Sequence, residues 1–284
     1  MSAIPARLAV VGTENSHVDA VVAYLNASRA DRPARVVALV GEDSERNRSL
    51  AALGGIETVT PVATDLLGAV DGLVVMNRDG ALHRKLAEPF LDAGLPVWVD
   101  KPLACSTADA RVLIDTAERT GAPLTSYSPL RWLPDTDQVE AAAAGIGTVQ
   151  TVTVSGPADP GSEYGGVFFY GIHPADVAQR LAPGEVGPVT AEKTGETIVV
   201  RYPADEVAVT LQLVKADDAG RVPFHATVTG RHGIVSEPLR VGEGYVAPGI
   251  DVFLRMLSTR QPPIAYSDLL KPITVLEQVA AIVQ

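Results

Sequence analysis

The chain has 284 residues, 34 acidic against 23 basic, a net charge of −11 and a 46% hydrophobic content of which little is aromatic. That length suits two domains with aliphatic cores, and the acidic balance argues against a nucleic-acid partner. No run of about 18 apolar residues occurs, so no membrane span is expected, and the single cysteine, Cys105, leaves no intrachain disulfide and fits a reducing cytoplasm.

Leu8–Val11 (LAVV) is short, apolar and β-branched, which predicts a buried strand. Gly12 ends it, and a helix is predicted to about Ser28. Arg35–Val40 predicts a second strand, followed by a helix over GEDSERNRSLAALGG that stops at its glycine pair. Then come a strand at Gly72–Met76, a helix at Leu82–Ala93, a strand at Pro96–Val99, a helix at Thr107–Arg119 and a strand at Leu124–Tyr127. Strands separated by helices pair in parallel, and strands apolar throughout are covered on both faces. The first half is therefore expected to be a doubly wound parallel α/β domain, whose ligands bind outside the carboxyl ends of the strands.

The second half changes character. After a helix at Asp135–Ala144, the runs at Val149–Ser155, Glu196–Arg201, Glu206–Val214 and Phe224–Thr229 alternate polar and apolar residues with few helices between them. That predicts an α+β domain with a mostly antiparallel, open-faced sheet, the open face being the expected surface for homo-oligomers. Helices are predicted near Pro174–Leu181, Gly249–Leu257 and Ser267–Val283. The division is placed at residues 1–126 and 127–284, with the C-terminal helix able to pack back on the first domain.

Gly12 stands where a dinucleotide fold needs a glycine, so that backbone N–H groups can approach a pyrophosphate. The run is GTENSH, and Glu14 and His17 occupy the positions of the other two fingerprint glycines. At the end of the second strand, Glu42 or Asp43 is placed to accept ribose hydroxyls. Asp43 also reads as the helix N-cap, while Arg46 and Arg48 would suit a 2′-phosphate, so NAD and NADP both remain open. Asp100-Lys101-Pro102 ends the strand PVWV at the ligand edge; Pro102 holds Lys101 out of helical geometry, and a desolvated lysine there can carry a proton. In GGVFFYGIHPAD, Pro174 suits a first helical turn, which makes His173 the expected N-cap, a neutral base with Asp176 beside it. Cys105 reads as a small packed residue. His225 and His232 have no second ligand at metal spacing, so no metal site is expected.

The order Gly12, Asp100-Lys101-Pro102-Leu103-Ala104, a Gly-Gly stretch and His173-x-x-Asp176 resembles the glucose–fructose oxidoreductase / inositol dehydrogenase / MocA (Gfo/Idh/MocA) family. The segment DLLGAVDGLVVMNRDGALHRKLAEPFLDAGLPVWVDKPLA and the ending YSDLLKPITVLEQV are similar to that family's central segment and terminal helix. The resemblance implies a cytoplasmic NAD- or NADP-dependent oxidoreductase acting on a sugar, polyol or related small hydroxylated metabolite. It implies catalytic roles for Lys101, His173 and Asp176. Cofactor contacts would come from Gly12, Thr13, Glu14, Asn15, Glu42, Asn77, His83 and Asp100, and substrate contacts from Arg131, Tyr164, Phe169 and Tyr170. Three departures stand out: the degenerate glycine run, Asp100 for the usual glutamate, and Phe169 where many members carry an aspartate. Phe169, with Phe168, Tyr164 and Tyr170, implies a less polar substrate than a free sugar. The alternative is a relative without net redox, either a lyase or epimerase oxidising transiently or a binding protein without cofactor.

Overall fold

The computed structural model describes residues 4–26, 32–42, 44–218 and 222–283. In chain order the elements are β1 (Ala6–Val11), α1 (His17–Asn26), β2 (Ala34–Val40), α2 (Glu45–Gly54), β3 (Thr58–Thr60), β4 (Gly72–Val75), α3 (His83–Asp92), β5 (Val97–Asp100), α4 (Thr107–Thr120) and β6 (Leu124–Tyr127). There follow α5 (Pro134–Ala143), β7 (Val149–Pro157), α6 (Phe168–Leu181), β8 (Thr190–Thr194), β9 (Thr197–Ala204), β10 (Val207–Val214), β11 (Phe224–Gly230), β12 (Gly233–Leu239), α7 (Ala247–Thr259) and α8 (Tyr266–Val283). The chain divides into two compact units: Met1–Ala104, Ala108–Ser126 and Val246–Tyr266 form one, and Cys105–Thr107, Tyr127–Tyr245 and Ser267–Gln284 the other. The change-over after Ser126 is thus joined by a second excursion, because α7 belongs to the first unit.

The first unit holds a six-stranded sheet in the order β3-β2-β1-β4-β5-β6. The β1–β2, β1–β4, β2–β3 and β4–β5 pairings are parallel. The strand order reverses across β1 and β4, which makes their carboxyl ends the switch point where a ligand crevice forms. β1, β4 and β5 are buried along almost their whole length, as expected of a sheet covered on both faces. The short β3 was not expected from sequence: its TVT is too brief and too exposed for its pattern to stand out. Helix α1 opens at His17, so Gly12 leads into a turn of four residues before the helix. Ser44 N-caps α2, its side chain accepting from the Asn47 N–H; Asp43, expected in that role, lies outside the described residues.

The second unit holds a sheet in the order β12-β11-β7-β10-β9-β8. It is antiparallel except where β10 runs parallel to β7, from Ala208 opposite Thr151 to Val214 opposite Pro157. Alternation decides the faces: Val152, Val154, Val209, Leu211, Ala226 and Val228 are buried, while the residues between them are partly or fully open. Helix α6 packs on β7 and β10, and α5 on β11 and β12. β8 and β12 were missed in the sequence because their polar, half-exposed runs carry little apolar signal. Among the described residues, no helix is long and apolar enough to cross a membrane, and no cluster of His, Cys, Asp or Glu has metal-binding geometry.

Candidate functional site

In the first unit, the turn after β1 is held by contacts that only some residues permit. Gly12 has φ of 87°, and a Cβ there would lie 2.2 Å from the Asn77 nitrogen, so the β1 end passes directly against the chain leaving β4. Asn15 is buried and stitches strand ends together. Its Nδ2 donates to the Met76 carbonyl (2.9 Å) and to Asp100 Oδ2 (3.1 Å), and its Oδ1 accepts the His17 N–H that opens α1. The Glu14 carboxylate turns onto the end of β4, accepting from Asn77 Nδ2 (3.3 Å) and the Arg78 N–H (3.2 Å). Arg46 donates to the carbonyls of Thr13 and Asn15 and to both Asp19 oxygens, so its guanidinium braces the turn.

Beside this turn lies a cleft of about 380 Å³ lined by Gly12, Thr13, Glu14, Gly41, Asn77 and Lys85 among others. It sits at the carboxyl ends of β1, β2 and β4. Asn77 Oδ1 is buried without a hydrogen-bond partner, and a buried acceptor left unpaired is costly. The cleft therefore keeps an unmet polar demand. Glu42 is exposed at the end of β2.

Asp100 and Lys101 close β5. They are 1% and 7% exposed, and the Lys101–Pro102 bond is cis. Asp100 Oδ2 receives Asn15 and also meets His17 Nδ1 at 3.1 Å. Burial alone would raise the Asp100 carboxyl, but the His17 imidazole and the Lys101 ammonium hold it well below the usual carboxylate range. Burial lowers the Lys101 amine; Asp100 opposes that, and Arg78 adds to it. His17 was not singled out from sequence; the only signal was a large polar residue at a position that a fingerprint leaves to glycine. His83, expected as a cofactor contact, is wholly buried. Its Nδ1 lies 2.7 Å from the Pro102 carbonyl and its Nε2 2.8 Å from that of Asn77. It ties the β4 end to the Lys101–Pro102 link, a supporting role, and burial lowers its basicity.

In the second unit, α6 starts at Phe168, so His173 and Pro174 lie inside the helix, not at its N-terminus. The expected N-cap role, and the dipole argument attached to it, do not hold. The helix starts early because the Gly165-Gly166 turn leads into apolar side chains that pack inward, Phe168, Ile172 and Ala175. That burial outweighs one lost backbone hydrogen bond at Pro174. Gly156 of β7 makes room for the proline, since a Cβ there would lie 2.8 Å from Pro174 Cγ.

His173 is 7% exposed, with Nδ1 2.7 Å from Ser128 Oγ. Asp176 does not sit as the expected direct partner of His173: its Oδ2 accepts the Ser128 N–H (2.7 Å) and its Oδ1 accepts from Arg131 Nη1 (2.9 Å). Arg131, expected to face substrate, is 8% exposed, and the same Nη1 also serves the Asp176 carbonyl and Gln179 Oε1. Burial raises the Asp176 carboxyl, against the pull of Arg131 and the Ser128 N–H. Tyr164, Phe169, Tyr170, His173 and Phe224 form an unbroken ring series, successive centroids 5.0, 4.8, 5.9 and 5.5 Å apart. The sequence reading grouped the first three with His173 but missed Phe224 and Ser128, which come from distant segments.

The strand order β3-β2-β1-β4-β5-β6 and the positive-φ glycine turn after β1 define a doubly wound, Rossmann-type α/β unit. Residues 6–128 match the family described as an oxidoreductase family with an NAD-binding Rossmann fold, Gfo/Idh/MocA. A D-apiose dehydrogenase of Paraburkholderia graminis is 36% identical over 112 residues, 39% of this chain and 30% of that protein. An inositol 2-dehydrogenase of Saccharopolyspora erythraea is 40% identical over 130 residues, 44% of this chain and 37% of that protein. The matches thus span about a third of the length of these curated relatives. The whole fold is shared with GenD2 from gentamicin A biosynthesis, solved in complex with NAD, at a TM-score of 0.82 and 22% identity, covering 99% of this chain and 95% of that one.

Proposed function

We propose that this protein is an NAD-dependent dehydrogenase that oxidises a hydroxyl of a sugar-, polyol- or related metabolite. The observation that carries this reading is Lys101: a buried amine at the carboxyl end of β5, in the unit that holds the switch-point cleft, its basicity lowered by burial and by Arg78. NAD, when bound, supplies the hydride acceptor. The Gly12–Asn15 turn and Asn77 would hold it, and Asn77 Oδ1 would gain the partner it lacks. Lys101, once uncharged, accepts the proton of the hydroxyl being oxidised, which is general-base catalysis by a desolvated lysine. In the second unit, His173 is read as a group for a substrate oxygen, with the aromatic series from Tyr164 to Phe224 as an apolar wall beside the imidazole. Phe169 in that wall favours a substrate with one less polar face than a free sugar.

NAD is favoured over NADP on charge. Glu42 is exposed at the position that meets the adenosine ribose, and its carboxylate repels a 2′-phosphate. Arg46, one of the two arginines offered as a counter-charge, is engaged by Asp19, Thr13 and Asn15. The same reading places the enzyme in the cytoplasm and lets copies associate through the open face of the second sheet, a matter for analytical ultracentrifugation.

Calorimetric titration with NAD and NADP tests the proposal. NAD is expected to bind at least tenfold tighter than NADP, and Glu42→Arg to narrow the gap. A panel of inositols, aldoses and their methyl glycosides, followed by nicotinamide absorbance, then finds the substrate. No binding of either dinucleotide at millimolar concentration would overturn the reading.

A further inference from the structure

Ser128 lies just beyond β6, at the start of a 3-10 turn over Pro129–Trp132, and is wholly buried. All its polar atoms are committed. Its N–H donates to Asp176 Oδ2 at 2.7 Å, and its carbonyl accepts the Arg131 N–H at 3.0 Å. Its Oγ accepts the Leu130 N–H at 3.1 Å and lies 2.7 Å from His173 Nδ1. A hydroxyl has one hydrogen to give and two lone pairs to receive with. Of the two contacts to Oγ, the one from Leu130 brings its own hydrogen, so the Ser128 hydrogen has a single destination, the lone pair of His173 Nδ1. The reverse arrangement, Nδ1–H donating to Oγ, would leave a buried hydroxyl hydrogen with no acceptor, which folded interiors rarely tolerate.

We propose that Ser128 is a positioning residue that fixes the neutral His173 imidazole in the tautomer carrying its hydrogen on Nε2. Asp176 holds Ser128 in place through its backbone N–H, and Arg131 holds Asp176. The aspartate therefore acts on the imidazole at one remove, through the serine. With its hydrogen on Nε2, the ring meets a substrate oxygen as a donor. It orients and polarises that oxygen but has no lone pair there with which to take a proton. This deepens the dehydrogenase reading and rests on it for what His173 touches. It gives His173 a specificity role for an oxygen acceptor in place of proton removal. The tautomer itself stands on the hydrogen-bond geometry and does not depend on any cofactor.

Long-range nitrogen–proton NMR on protein labelled with nitrogen-15 at histidine tests the proposal, with His173→Gln assigning the signal among His17, His83, His225 and His232. In the wild type, His173 Nδ1 is expected at the unprotonated imidazole position and Nε2 at the protonated one. Ser128→Ala should shift the balance towards the other tautomer by several-fold, and Ser128→Thr, which keeps the hydroxyl, should restore it. A wild-type spectrum with the hydrogen on Nδ1 would overturn the assignment even if the variants fail to fold. So would an unchanged balance in a folded Ser128→Ala protein. Failure of NAD to bind, with the expected tautomer present, would remove the dehydrogenase reading and leave Ser128's role intact.

Discussion

The polar cluster at the end of β5 and the one on α6 use the same chemical parts: a buried aspartate, a histidine and a cation. They hold charge in opposite ways. Asp100 has one oxygen facing Asn15 and His17, with Lys101 next to it, and its carboxyl stays low. Asp176 also has two donors, yet burial raises it. At Asp176 burial outweighs Arg131 and the Ser128 N–H, whereas at Asp100 the His17 imidazole and Lys101 outweigh burial. A single Arg131 nitrogen is divided among Asp176 Oδ1, the Asp176 carbonyl and Gln179 Oε1 at 2.9, 3.1 and 2.7 Å. The first cluster fixes a charge beside a lysine; the second organises hydrogen-bond direction around an imidazole.

The largest test of the first cluster's scaffold is Gly12→Ala. A Cβ at 2.2 Å from the Asn77 nitrogen meets backbone, and φ of 87° is strained for any other residue. The variant is expected to lose roughly 3 kcal/mol or more of stability, or to fail to fold, read by urea denaturation. Next in size, Lys101→Ala should lower turnover by about a hundredfold or more, with NAD affinity held within a few-fold in calorimetry. A comparable loss on His173→Ala with a raised KM would fit an orienting donor. Near-normal rates in both variants would remove the assigned chemistry.

Asp100→Asn separates the clusters by pH. A carboxyl held low in the folded state contributes stability above its unfolded value near 4, lost as pH falls through the folded value. At neutral pH the variant should cost roughly 1.5–3 kcal/mol, the range for hydrogen bonds to a charged group. That gap should shrink below about pH 4, where the carboxyl of the unfolded chain takes up a proton while the folded protein still holds its charge. A gap that stays constant down to acid unfolding would mean the carboxylate charge contributes nothing at this position.

The first cluster was far more legible in the sequence than the second. Lys101 sits at a strand end, and a strand whose three apolar residues, Val97, Trp98 and Val99, lie between Pro96 and Pro102 announces itself locally. The six-stranded sheet followed from the same kind of signal, except for β3. The second cluster was misread because its helix start is set by distant packing: Phe168 and Ile172 are buried, and Pro174 tolerates an interior position only because Gly156 yields space. A proline rule applied locally put His173 one turn or more too early in the helix. Ser128 left no trace at all, since its meaning depends on a partner 45 residues away. His17 stands at a position that a fingerprint leaves to glycine and Asn15 reads as a cofactor contact, but their joint target, Asp100, lies 83 and 85 residues on.

The smallest effect concerns Glu14, a carboxylate at a position that the fingerprint leaves to glycine. Its carboxylate is drawn onto Asn77 Nδ2 and the Arg78 N–H, and the side chain is exposed, so its charge is screened by solvent. A single charge acting on a pyrophosphate across several ångströms of water-like dielectric is worth about 0.5 kcal/mol. Glu14→Gln keeps the accepting oxygen for both donors and removes only the charge. NAD should therefore bind about two- to threefold tighter in the variant at low ionic strength, and the advantage should vanish in molar salt, where the Debye length falls to about 3 Å. Equal affinities at low salt would show that Glu14 is turned far enough from the phosphates to be electrically silent. Weaker binding in the variant would instead make the carboxylate a direct acceptor for the dinucleotide, and the turn would have to be read as a hydroxyl-binding site.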